Sequence, residues 1–176
     1  MFAVYAKEAN FDEPLASVVV GEQPDPIVRE GWVRVKVTHA SLDRHDVFTH
    51  TLRGMTSQKQ PIPFPMILGN DAAGLLDDGT PVVLYPVMGT DDWKGDETID
   101  PHWHVISELV PGTMADYDAV PKRNALRIPE GLSPLNASLL GTAWLTAYRS
   151  LFTKSRLIPA RRFWYRAPPG ECRRPL

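Results

Sequence analysis

PGTMADYDAVPKRNALRIPEGLS, residues 111–133, is the stretch whose reading decides the fold. Ala115 to Val120 and Ala125 to Ile128 are short runs with apolar residues, punctuated by proline and glycine, the pattern of brief strands between turns. Gly131 ends that texture. Ser133 followed by Pro134 then supplies a serine N-cap and a first-turn proline, so a helix starts here.

The chain before this stretch reads in the same way. Phe2 to Lys7 is a strand candidate, and so is Leu15 to Val20, stopped by Gly21 and the Pro24-Asp25-Pro26 turn. Trp32, Arg34, Lys36 and Thr38 alternate with Val33, Val35 and Val37, the period of two of a half-buried strand. Pro81 and Pro86 enclose the apolar run Val82-Val83-Leu84-Tyr85. Short strands at close spacing, with many proline and glycine turns, imply a barrel or sandwich. After Pro134, Leu135, Leu139, Ala143, Ala147 and Leu151 recur every four residues, flanked by Leu140, Trp144 and Tyr148. That spacing predicts a helix of several turns, broken near Gly141 and ending before Pro159. Residues 87–112 are acidic and aperiodic, and are expected to form an exposed lobe inserted in the barrel.

Length and composition set limits on function. A chain of 176 residues can bury one core of ordinary size. The net charge of −2 is unevenly spread: from Arg161 onward it is +4, which leaves −6 on the body. A body that acidic gives no reason to expect nucleic acid as a partner. Cys172 is the only cysteine, so one chain holds no disulfide and no cysteine-based zinc site. No signal-like start and no apolar run of about 20 residues occurs, so neither secretion nor a membrane partner is expected. A cytoplasmic location is the default expectation.

VTHASLDRHDV (37–47), PFPMILGNDAAG (63–74), residues 111–133 and GTAWLTAYRSLF (141–152) together, in this order, resemble the medium-chain dehydrogenase/reductase superfamily. The branch they resemble is the quinone-oxidoreductase or zinc-type alcohol dehydrogenase group. The resemblance covers residues 1–159. It implies a mainly β fold with a few helices: the GroES-like β-barrel catalytic domain of the alcohol dehydrogenase family. A Rossmann domain binding NAD(P)H normally follows, and residues after Pro159 do not supply its βαβ unit, so that domain is expected to be missing. The expected organisation is a barrel over 1–133 with the lobe 87–112, a linker helix over 134–158 toward the missing cofactor domain, and a tail over 159–176.

That tail, ending RRFWYRAPPGECRRPL, has no helical or strand period. A frame begun at the third base of each codon forces leucine across Phe163 and Trp164, and valine across Trp164 and Tyr165. One choice of the free bases completes a strand running into a G-x-x-G-G turn, as at the start of a cofactor domain. The tail is therefore expected to be out of frame and disordered. A basic tail acting on nucleic acid or an acidic membrane is the rival reading.

The resemblance also assigns roles. The zinc-ligand positions of the family fall on Asp43, Asn70 and Thr142, with Asp71 as the acidic neighbour; threonine and asparagine are poor zinc ligands, so no metal is expected. That implies the zinc-free mechanism, in which NAD(P)H reduces a quinone, enone or carbonyl compound, a small-molecule substrate. Arg44 matches a position that approaches the cofactor pyrophosphate, and Thr146 one that approaches the nicotinamide. Asn70, Asp71 and Thr142 line the substrate cleft. Asp43, His45 and Asp46 admit two readings: catalytic proton donors near the substrate, or a polar turn in which Asp46 anchors its own backbone, which the sequence favours. Asp100, His102 and His104, two apart, would share one face of a strand and could grip a metal, but Pro101 argues for a solvated loop. Without a cofactor domain the chain is expected to bind no nicotinamide tightly and to be inactive alone. Its bared helix face is expected to cause self-association. A GroES-like binding module that pairs with another chain is the alternative.

Overall fold

The computed structural model describes residues 1–50 and 61–158. The expectations for the tail therefore lie outside the described residues.

Strand β1 (Phe2–Ala6) pairs antiparallel with β2 (Val18–Glu22), in register from Phe2 opposite Glu22 to Ala6 opposite Val18. Its other edge takes the short β4 (Met66–Ile67). The long β3 (Trp32–Ala40) lies between β5 (Ala72–Leu76) and β9 (Tyr117–Pro121), while β6 (Pro81–Leu84) and β10 (Ala125–Arg127) extend the sheet beyond β5. All these pairings are antiparallel. A bridge from Ala3 to Ala115, with Val4 N–H donating to the Met114 carbonyl at 2.8 Å, sews the small sheet to the chain entering β9. The result is a curled half-barrel.

The period of two read in β3 decides which side chains go inside. Val35, wholly buried, joins Ala72, Val82, Leu84, Met88, Ile106 and Val120 in the inner core, while Arg34 and Lys36 face out. Full burial of a Val, Leu or Ile side chain contributes about 1.5–3 kcal/mol. The next residue along β5, Ala73, faces the opposite layer. There it packs with Ile128 and with Ala137 of the short helix α2 (Pro134–Ala137). Gly74 completes the close approach of β5 to β3, because a Cβ there would lie 2.3 Å from the Lys36 carbonyl oxygen.

Several expectations needed correction. Leu15 to Val20 is not one strand: Pro14–Ser17 forms a 3-10 turn and pairing begins only at Val18. Proline at the start lacks an N–H for a ladder, and Leu15 stands 82% exposed. The segment after Asp43 is a helix, α1 (Arg44–His50), not a turn alone. Residues 87–112 are only partly exposed. β7 (Val87–Met88) pairs with β8 (His104–Val105), and Val105, Ile106, Ser107 and Glu108 are buried. The helix after Ser133 is broken near Gly141 as read, but it continues in widened, π-helical turns over Leu140–Trp144 and Arg149–Lys154 on either side of α3 (Leu145–Tyr148). The Ser133 cap is present, its hydroxyl accepting the Asn136 N–H at 3.2 Å. Among the described residues, no helix is long and apolar enough to cross a membrane.

Candidate functional site

A cavity of about 340 Å³ opens between the barrel and the helical segment after Leu140. His45 and Asn70 line it from the barrel, Val87 and Trp103 from the lobe, and Thr142 and Thr146 from the helix.

His45 is placed by the capping chemistry of α1. Asp46 is buried, and its two carboxylate oxygens accept the N–H of Asp43 at 2.8 Å and of Gly69 at 2.9 Å. The start of α1 is thereby pinned to the turn before β5, since charge-assisted bonds of this kind are strong. Asp43 Oδ1 accepts the His45 N–H at 2.6 Å. Asp46 thus anchors its own backbone, as the polar-turn reading held, but does so as a helix cap. Burial pushes its carboxyl up to about 6, against the two backbone donors and the nearby His45.

The His45 ring meets polar partners at both nitrogens, with Thr49 Oγ1 also 3.5 Å from Nδ1. Nε2 lies 3.1 Å from Oε1 of Glu108, which is wholly buried and whose Oε2 accepts the Val105 N–H at 3.1 Å. Nδ1 lies 3.1 Å from Oδ1 and 3.0 Å from Nδ2 of Asn70. An amide so placed serves a charged ring as acceptor and a neutral ring as donor, so either protonation state finds a partner. Burial works against the charged ring, but the hydrogen bond and charge of Glu108 outweigh it and hold His45 above the usual histidine range. Ser107, with φ of 71°, is the strained residue that turns Glu108 inward, and its hydroxyl is fixed to the Ile67 carbonyl at 2.9 Å.

Asp71 does not face open solvent. Its Oδ1 accepts the Thr142 hydroxyl at 2.7 Å and its Oδ2 the Thr142 N–H at 3.0 Å. Burial raises its pKa, and the bonds from Thr142 oppose the rise. At the outer end of the cavity the Tyr85 hydroxyl donates to Glu97, and burial followed by that bond raises the tyrosine. Asp96 takes Arg149 Nη2 at 2.6 Å and Lys154 Nζ at 2.8 Å, tying the lobe to the helix. Hydrogen bonds from Lys154 and Thr98 hold Asp96 well below the carboxylate range.

Of the residues singled out in the sequence, His45, Asn70, Thr142 and Thr146 meet at this cavity, and Asp71 sits behind it on Thr142. Arg44, the first residue of α1, is exposed and does not line it. Asp100 does not converge on the two histidines as a metal grip would. Its carboxylate accepts the Thr90 N–H and hydroxyl and the His102 N–H, and His104 Nδ1 bonds the His102 carbonyl. Glu108 and Arg149 were missed. The one available signal for Glu108 was a lone acid inside the apolar run from Val105 to Val110.

The zinc positions implied by the resemblance can be tested on chemistry. Asp43 bonds His45, Asn70 bonds the His45 ring, and Thr142 bonds Asp71. Asp43 Oδ2 is buried without a partner among the described residues, but a set of one carboxylate, one amide and one alcohol does not suit zinc. Among the described residues, no three His, Cys, Asp or Glu side chains gather to hold a metal.

Residues 29–130 match the alcohol dehydrogenase GroES-like domain family. The chain is 30% identical over 129 residues to a zinc-type alcohol dehydrogenase-like protein of Schizosaccharomyces pombe, a match covering 73% of this chain and 35% of that protein. The fold superposes on an NAD-dependent alcohol dehydrogenase with a TM-score of 0.80 and 25% identity, covering 91% of this chain and 49% of that one. A quinone oxidoreductase from Thermus thermophilus, also solved with NADPH, superposes with a TM-score of 0.62 and 22% identity, over 89% of this chain and 41% of that one. The chain thus spans about a third of the curated relative and about half of the alcohol dehydrogenase.

Proposed function

Because the chain belongs to the alcohol dehydrogenase GroES-like domain family, we propose that it forms the substrate-side half of a zinc-free, nicotinamide-dependent oxidoreductase. The observation that carries this reading is the buried Glu108–His45–Asn70 array at the wall of the 340 Å³ cavity. A bound nicotinamide would supply the hydride; within this chain, Thr146 at the cavity and Arg44 at the start of α1 are its candidate contacts. The apolar wall of Pro86, Val87, Val105 and Leu145 suits the body of a carbonyl compound, enone or quinone, and His45 can give its oxygen a proton from Nδ1 when the substrate displaces the Asn70 contact there. Glu108 keeps the ring oriented and charged.

Cyclohexenone and benzaldehyde titrated into the labelled chain test the binding half of this reading. Shifts in the amide spectrum at Asn70, Thr142 and Thr146 are expected. Shifts confined to other parts of the chain, or none at tens of millimolar, would refute it. The chain by itself is expected not to turn over.

A second reading has its own support. Leu135, Trp144, Tyr148 and Phe152 stand 56%, 65%, 60% and 48% exposed along the helical segment, an apolar face that suits a partner chain. In that case the chain acts as a binding module. A captured partner that restores NADPH-dependent reduction would favour it, and a chain that stays monomeric in every mixture would count against it.

A further inference from the structure

Asp71 and Thr142 lie 71 residues apart, yet the carboxylate meets both donors of Thr142, and Oδ2 also accepts the Ser41 hydroxyl at 3.4 Å. Asp71 is only 2% exposed. Gly141 makes the approach possible: a Cβ there would lie 2.5 Å from Asp71 Oδ1 and 3.2 Å from Pro86 Cδ. The first widened helical turn, Leu140–Trp144, falls at this contact. The residues that follow, Leu145, Thr146 and Arg149, are those that wall the cavity. In the pattern the sequence resembles, Thr142 stands at a metal-ligand position beside an acidic neighbour. Here the two bond directly.

We propose that Asp71, Gly141 and Thr142 form a metal-independent latch that holds the helical wall of the cavity against the barrel, with Asp71 and Thr142 as positioning residues. The inference rests on the proposed function only in taking this cavity as the substrate site. A carboxylate bridging to a backbone N–H and a hydroxyl of the same residue fixes both the distance and the rotation of that turn. Replacing the carboxylate by an apolar side chain of similar size removes both acceptors and leaves the Thr142 N–H without this partner.

Amide hydrogen exchange followed by NMR on the 176-residue chain tests this directly. Asp71→Leu is expected to lower protection of the Thr142 amide about tenfold or more, while Val35 and Val120 stay within about twofold. Thr142→Ser keeps both donors and should stay within about threefold of wild type. Unchanged Thr142 protection in Asp71→Leu would overturn the latch. Should Asp71→Leu lose the whole fold, Gly141→Ala presses on the same carboxylate, and is expected to give the same selective loss at Thr142; intact protection there would overturn the proposal. Zinc chloride is the second arm. No stoichiometric binding is expected, and one equivalent bound with a shifted Thr142 amide would make Asp71 a ligand and not a latch. None of these readouts involves turnover, so they stand or fall separately from the proposed activity.

Discussion

Asp118 offers the sharpest test of how this barrel is held together. It sits in β9 directly opposite Val35, 2% exposed, beside the core residue Val120. Its Oδ1 accepts the N–H of Ala119 at 2.7 Å, and its Oδ2 has no partner among the described residues. Burial pushes this carboxyl from the ordinary 3.8 up to about 8, with only the Ala119 N–H opposing. Below about pH 4 both folded and unfolded chains hold the proton. Between about 4 and about 8 the folded chain keeps a proton that the unfolded chain has released, so stability falls as pH rises, by about 1.4 kcal/mol per pH unit. Above about pH 8 both states are ionised and the fall stops. Asp118→Val removes this titration and places a branched apolar side chain against Val35. The advantage of the variant is therefore expected to widen by up to about 3 kcal/mol between pH 5 and pH 7. Urea denaturation of both proteins at pH 5, 6, 7 and 8 measures it. His45, Asp46 and Asp71 titrate in both chains, and their contributions cancel in the difference to the extent that the sites are independent. Stability curves that run parallel from pH 5 to pH 8 would refute the reasoning.

Three further outcomes are expected. Glu108→Gln removes the charge that holds His45 above the histidine range. The ring should then titrate at lower pH by NMR, and the stability the pair gives below pH 6.5, lost as pH rises through the folded-state value, should disappear. Gly74→Ala drives a methyl into the Lys36 carbonyl and should cost about 1–3 kcal/mol in urea midpoint experiments; a neutral result would mean that β3 and β5 separate freely. The wild-type chain should self-associate with rising concentration in sedimentation, and Trp144→Ser with Tyr148→Ser should reduce this; a sharp monomeric melt above about 60 °C in the unmodified chain would contradict it.

Much of the fold was legible because it is written in local chemistry. The alternation of Trp32 to Thr38 assigned β3, proline and glycine marked the ends of β6, β9 and β10, and Ser133-Pro134 marked the helix start where the structure has it. β5 was harder to see. Ala72, Ala73 and Gly74 are small because two layers and a neighbouring backbone crowd them, and small residues carry little strand signal. In the site, His45, Asn70, Thr142 and Thr146 were reached through motif order. Glu108 was not, since its meaning lies in a partner 63 residues away in an aperiodic segment. Asp118 escaped for the opposite reason: one acid among apolar neighbours in a strand reads as outward-facing until the register puts it opposite Val35.

The bonds among Asp71, Gly141 and Thr142 also carry a consequence for how such a site can change over generations. Each member is acceptable only in the presence of the other two: the carboxylate needs both donors, the donors need the carboxylate, and the contact needs a residue without a Cβ. A cysteine at 142 alone would exchange the hydroxyl donor of Asp71 for a weaker thiol, leaving the 142 N–H and the Ser41 hydroxyl to hold a buried carboxylate. Building a metal site here would also require new ligands at 43 and 70, where Asp43 and Asn70 now hold His45. Several positions would have to change together, so the joint is easier to keep than to replace.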